Sequence, residues 1–170
     1  WGIERFVLRS PLDVLAVARE NATQLGRATL LTAISALGGL VASTLVGSVI
    51  AFVFAQSRLI QRCLFPYAIF LQTVPIIAIA PLIVMYAGHG MQSVVLCAFI
   101  VSLFPIITNT TAGLTDVDPT LVELFEVNNA SLLQVLWKLR LPNAVPYLIN
   151  GIRISSGLTV IGSIVGEQFV

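Results

Sequence analysis

Charge is scarce in this sequence. Only 10% of its 170 residues are Asp, Glu, Lys or Arg, against about 25% in an average soluble domain, which rules out an ordinary water-soluble fold. Neither sign is in excess: the formal net charge is +1, so no basic surplus is available to drive nucleic-acid binding. Two cysteines, Cys63 and Cys97, stand in apolar context with no CxxC pair and no histidine beside them, so neither a disulfide framework nor a zinc site is indicated. His89 is the single histidine, and a base needs a positioned partner. The chain has no Gly-rich phosphate loop ending in Lys and Ser/Thr, and no HExxH. No metal, no cofactor and no enzymatic chemistry are expected in this polypeptide. What remains is apolar: 57% of residues are hydrophobic and the mean hydropathy is +0.96, so the natural solvent is a bilayer.

Residues 28–57 contain no Asp, Glu, Lys or Arg, and at about 1.5 Å per residue they exceed a hydrocarbon core of about 30 Å. They form the first expected span. Ser35, Gly39, Ser43, Gly47 and Ala51 recur every four residues within it, a small-residue stripe along which another helix can approach closely. After Arg58 and Arg62 a second charge-free stretch is too long for one crossing and is interrupted at Gly88-His89-Gly90. It reads as two helices, 65–87 and 92–113, joined by a tight turn. The first carries Pro66, Pro75 and Pro81, each of which removes a backbone donor and kinks a helix. The second contains Pro105 and then Thr108, Asn109, Thr110 and Thr111, polar groups that should face protein or water.

The last apolar segment, 146–170, includes Arg153 and Glu167. A charge at a helix centre costs about 2.5 to 3.5 kcal/mol on insertion scales, so both should sit near an interface or face a protein interior. They are separated by about 21 Å along a straight helix and cannot pair within it. Charges are spread over alternate loops, which leaves orientation undecided. Residues 1–27 read as an exposed helical loop. The chain starts at Trp1 and stops within an apolar stretch, so it is expected to be part of a longer protein. The fold class expected is an all-α polytopic transmembrane bundle with about four membrane helices.

One loop, 114–145, carries explicit helix punctuation. Asp118 is placed as an N-cap with Pro119 at the first helical position, starting a short helix to about Val127. Asn128 and Asn129 tolerate left-handed backbone. Ser131-Leu132-Leu133-Gln134 then fits a capping box. Lys138 and Arg140 suit a helix C-terminus, and Pro142 and Pro146 predict that the second helix ends there. A helix-break-helix of this kind is either a preformed docking element or an amphipathic hairpin lying on the bilayer.

Glu123-Leu124-Phe125, Asn129-Ala130-Ser131 and Leu139-Arg140-Leu141-Pro142 together resemble the EAA loop of ABC importer permeases. That pattern is Glu-Ala-Ala, a Gly four residues after the second Ala, and hydrophobic-x-Leu-Pro ten residues beyond the Gly. The spacing matches throughout, while Leu124 and Phe125 replace the alanines and Asn129 the glycine. The stretches Leu71-Gln72-Thr73-Val74-Pro75, Ala80-Pro81-Leu82, Phe104-Pro105 and Val117-Asp118-Pro119 are similar to the branch serving nitrate, sulfonate, taurine and thiamine-precursor or riboflavin uptake.

The resemblance implies a bacterial inner-membrane permease, with 114–145 and Arg58 and Arg62 in the cytosol and Gly88 to Gly90 outside. It implies one further helix at each end. The partners it implies are an ABC ATP-binding subunit, an extracellular or periplasmic solute-binding protein, a second copy of the permease and membrane lipid, with no nucleic acid. ATP hydrolysis belongs to the separate subunit. The residues expected to meet that ATPase are Glu123, Leu124, Phe125, Asn129, Ala130, Ser131, Leu139, Leu141 and Pro142; the bulk of Leu124 and Phe125 calls for a matching cavity in it, or marks a degenerated subunit. Gln72, Thr73, Asn109 and Thr110 either line a polar route for a small solute or hydrogen-bond to neighbouring helices. Two other classes stand beside this reading: a non-transporting structural membrane subunit, and a secondary transporter, against which the scarcity of intramembrane carboxylates argues.

Overall fold

A computed structural model describes residues 10–170; the first part of the loop expected over 1–27, with Arg5 and Arg9, lies outside the described residues. Helix α1, Pro11–Glu20, opens with the Ser10 hydroxyl accepting the Leu12 amide at 3.3 Å. Helix α2, Ala22–Gln56, is 35 residues long. Helices α3, Arg58–Thr73, α4, Ile76–Ala87, and α5, Met91–Thr115, follow. Then come α6, Pro119–Val127, α7, Leu132–Val135, a π turn over Leu136–Arg140, and α8, Leu141–Glu167. Among the described residues, three helical stretches are long and apolar enough to cross a membrane: Ala22–Gln56, Met91–Thr115 and Leu132–Glu167.

The single kinked helix expected over 65–87 is two helices in the structure. Val74 is extended at ψ 122° and Pro75 at ψ 125°. Proline disfavours helical backbone at the residue before it and brings no N–H of its own, so the chain steps out of one helix and into the next. Pro66 and Pro81 stay inside α3 and α4. The turn after α4 needs Gly88 at φ +87°, where L residues are strained.

Helix α5 lies between α2 and α8. It runs parallel to α2: Gly39 meets Ala98 and Gly47 meets Ile106. It runs antiparallel to α8: Gly113 meets Ala144 and Tyr147, Gly151 meets Pro105 and Asn109, and Gly162 meets Ala98. A Cβ on Gly39 would stand 2.5 Å from the Ala98 Cβ, and one on Gly162 2.8 Å from the Ala98 Cα. Missing side chains are therefore what let three backbones close on one alanine. In a bilayer, where lipid is as apolar as leucine, such close packing and interhelical hydrogen bonds drive association. All five residues of the α2 stripe are buried.

Candidate functional site

The segment from Asp116 to Arg140 leaves the bundle and returns to it. Asp118 caps α6 through Oδ1, which accepts the Thr120 amide at 2.8 Å. The helix ends at Asn128, and Asn129 takes the left-handed conformation at φ 53°. The Asn129 amide donates to the Glu126 carbonyl at 2.9 Å and the Ala130 amide to the Phe125 carbonyl at 3.0 Å. This pair of bonds is the Schellman motif, which satisfies carbonyls that would otherwise be orphaned at a helix end. The next helix starts at once. Ser131 and Gln134 form the reciprocal capping box expected of them.

The second short helix does not end at Pro142 as the prolines suggested. It widens into the π turn, where the Leu141 amide donates to the Leu136 carbonyl, and continues without interruption into α8. Pro142 has no N–H, and its ring would collide with the carbonyl four residues back in a tight helix. A single π turn adds one residue to the ring and removes the collision. The arm is thus one piece with α8. Leu141, half-buried, packs on the cluster of Ala51, Leu114 and Ala144, seating the root of the arm in the bundle.

Glu123, Leu124, Asn129, Ser131 and Pro142 are exposed, while Phe125, Ala130 and Leu139 are half-buried. Leu124, Phe125, Asn128, Ala130, Gln134 and Lys138 line a cleft of about 300 Å³ inside the bend. Around it Val127 is 80%, Leu132 89% and Trp137 68% exposed. An arm that is held stiff by caps and presents bare apolar side chains has the physical make-up of a docking element.

The four residues singled out as polar groups within the helices do not converge. The Phe65–Phe104 contact, 6.3 Å between ring centroids, lies between them: Gln72 and Thr73 are toward the Gly88 turn, Asn109 and Thr110 toward the arm. At 1.5 Å per residue the two pairs are about 18 Å apart along the bundle. Asn109 accepts a hydrogen bond at Oδ1 from Asn150 Nδ2 at 2.9 Å and donates to the Pro105 carbonyl at 2.9 Å. Thr73 donates to the Phe70 carbonyl, and Gln72 is exposed. Thr110 is buried, and its hydroxyl has no partner among the described residues.

The structure adds residues that the sequence reading passed over. Asn143 donates to the carbonyls of Gly113 at 2.8 Å and Asp116 at 3.0 Å, and the Tyr147 hydroxyl donates to Asp116 Oδ2 at 3.0 Å. With Asn150 these occupy one stripe of α8 at i, i+4 and i+7, a helical period that was there to be read. They latch α8 to the end of α5 beside the arm. On the outward side of α8, Arg153, Ser156 and Gly157 are exposed, and a Cβ on Gly157 would meet nothing within 4 Å.

The sequence matches the family described as "Binding-protein-dependent transport system inner membrane component" over residues 24–170. It is 32% identical over 162 residues to a Haemophilus influenzae protein described as "Probable ABC transporter permease protein", covering 95% of this chain and 66% of that one. It is 33% identical over 129 residues to the formylaminopyrimidine transport permease protein ThiX of Halalkalibacterium halodurans, covering 76% and 52%. To the riboflavin transport system permease protein RibX of Chloroflexus aurantiacus it is 30% identical over 168 residues, covering 98% and 63%. The chain therefore spans about half to two thirds of the length of these relatives.

Proposed function

Because this chain belongs to the family of binding-protein-dependent transport system inner membrane components, a family of multi-pass inner-membrane proteins, we propose that it is the permease subunit of an ATP-driven ABC importer. Two permease copies pair in the membrane. A solute-binding protein delivers cargo from outside, and an ABC ATP-binding subunit grips the arm from the cytosol. The relatives named for formylaminopyrimidine and riboflavin transport favour a small solute of that kind.

The observation that carries this reading is the continuity of the arm with α8. A capped bend at Asn129 leads through the π turn to Leu141 in the bundle core, so a push on the arm moves the crossing itself. Glu123, Leu124, Phe125, Asn129, Ala130 and Ser131 form the gripped part, and Leu139, Leu141 and Pro142 the root. The exposed polar face of α8 supports pairing. Arg153 is exposed on it, and a lipid-facing charge is costly, so a second copy or a watery passage covers that face. Asn109, bonded to Asn150, sits at the edge of this passage; Gln72 and Thr73 lie nearer its outer mouth.

Copurification tests the reading. The full-length protein expressed with the ATP-binding subunit should retain it. Replacing Asn129-Ala130-Ser131 by three alanines, which removes both the left-handed residue and the cap, should release it while the permease stays in the membrane. Equal retention by both proteins contradicts the assignment.

A further inference from the structure

A second cavity lies at the root of the arm, lined by none of the residues of the cleft in the bend. About 330 Å³ in volume, it is lined by Phe54 and Ala55 at the end of α2, Gln61 and Arg62 in α3, Thr115 at the end of α5, and Arg140 in the π turn. Two arginines from segments far apart in sequence thus line one cavity, and among the described residues no carboxylate lines it. Asp116, the acid adjoining Thr115, is engaged by the Tyr147 hydroxyl and lies off the cavity. Two like charges brought together repel unless an anion sits between them.

The depth of the cavity restricts what that anion is. It opens where the apolar runs of α2 and α5 stop, the level of the lipid headgroups. Its floor, Phe54 and Ala55, is apolar, whereas Gln61 and Thr115 add neutral hydrogen-bonding groups. Guanidinium forks fit phosphate oxygens in pairs, and basic pockets between membrane helices on the cytosolic side take up anionic headgroups.

We propose that the cavity between Arg62 and Arg140 is a binding site for a phosphate-bearing anion, supplied by an anionic phospholipid headgroup or by free phosphate. Its cytosolic placement rests on the orientation given above; the cavity and its charge do not. An occupant would tie α3 to the root of the arm and make the arm's stiffness depend on what is bound.

The test uses the full-length protein with its ATP-binding subunit. It is purified from membranes of mixed phosphatidylglycerol and phosphatidylcholine, and retained lipid is counted by native mass spectrometry with and without inorganic phosphate. The wild type should retain phosphatidylglycerol over phosphatidylcholine, and R62Q/R140Q should lose about tenfold of that retention, while K138Q, a cation removed at the same end but outside the cavity, keeps it. Should R62Q/R140Q fail to fold, the single variants R62Q and R140Q carry the test, each with reduced retention. Displacement of lipid by phosphate assigns the site to the phosphate group alone; retention unaffected by it assigns the site to the whole headgroup. Equal retention of the two lipids by the wild type with no bound phosphate detected when inorganic phosphate is added, or the same loss in K138Q as in the arginine variants, overturns the proposal. Because this measurement involves no transport, it separates failure of the site from failure of the importer reading.

Discussion

Ser131 and Gln134 hold one another by two bonds: the Ser131 amide donates to Gln134 Oε1 at 2.8 Å, and the Gln134 amide donates to Ser131 Oγ at 3.3 Å. The Schellman end of α6 includes the Ala130 amide and the box begins at Ser131, so no residue separates them and the bend in the arm has almost no slack. A stiff bend is what a lever needs.

Ser131→Ala removes the accepting hydroxyl and should cost about 0.5 to 2 kcal/mol of local helix stability. Hydrogen exchange at the amides of 133–135 should quicken while the crossings stay protected. Ser131→Asp keeps a capping oxygen but puts a charge at the gripped surface, and there ATP hydrolysis should continue while uptake falls.

Asn129 sits at φ 53°, a conformation that glycine accepts freely and β-branched residues do not. Asn129→Gly should preserve coupled transport. Asn129→Val should cost about 1 to 2 kcal/mol at the bend and reduce uptake per ATP hydrolysed. Equal coupling in the two variants would mean that the bend has no part in force transfer.

Helix packing gives a paired prediction within α8. Gly162→Ala drives a Cβ to 2.8 Å from the Ala98 Cα, whereas Gly157→Ala meets nothing within 4 Å. The first should destabilise by about 1 to 3 kcal/mol. The second should hold or raise stability, since alanine favours helix over glycine by about 1 kcal/mol. Thermal unfolding of the two proteins in the same detergent compares them directly.

The Asn109–Asn150 bond distinguishes a structural from a transport role. If it only joins α5 to α8, a double-mutant cycle with alanine should give a coupling of about 0.6 kcal/mol, with about 1.7 as the ceiling for such pairs. If the pair also borders the passage, each single variant should alter uptake by more than its stability loss accounts for. Uptake and unfolding measured on the same four proteins separate the contributions.

Much of this arrangement is legible in the residues, and where it is not the reason is physical. The four-residue period of Ser35, Gly39, Ser43, Gly47 and Ala51 marks the face of α2 that meets α5, because close approach selects small side chains. Asn129 and the Ser131 box are local devices that act through their own backbone, so spacing alone reveals them. The prolines are harder. Pro66, Pro75 and Pro81 look alike in sequence, yet Pro75 alone breaks its helix, and which proline does so depends on what surrounds the freed backbone. Pro142 suggests a stop and receives a π turn, because continuity with α8 is held by Leu141, which packs with Ala144 of its own helix on Ala51 of α2 and Leu114 of α5. The cross-helix bonds of Asn143, Tyr147 and Asn150 needed their partners 27 to 41 positions away to be recognised, although their helical spacing was visible.

The most direct measurement of the central claim is disulfide crosslinking from the tip of the arm. Leu132, 89% exposed beside the bend, is replaced by cysteine in the full-length protein and paired with cysteines along the surface of the ATP-binding subunit in inverted membrane vesicles. The account predicts a crosslink whose yield changes between the ATP-bound and nucleotide-free states. Absence of any crosslink in either state, with the introduced thiol labelled only from the opposite face of the membrane, would contradict it.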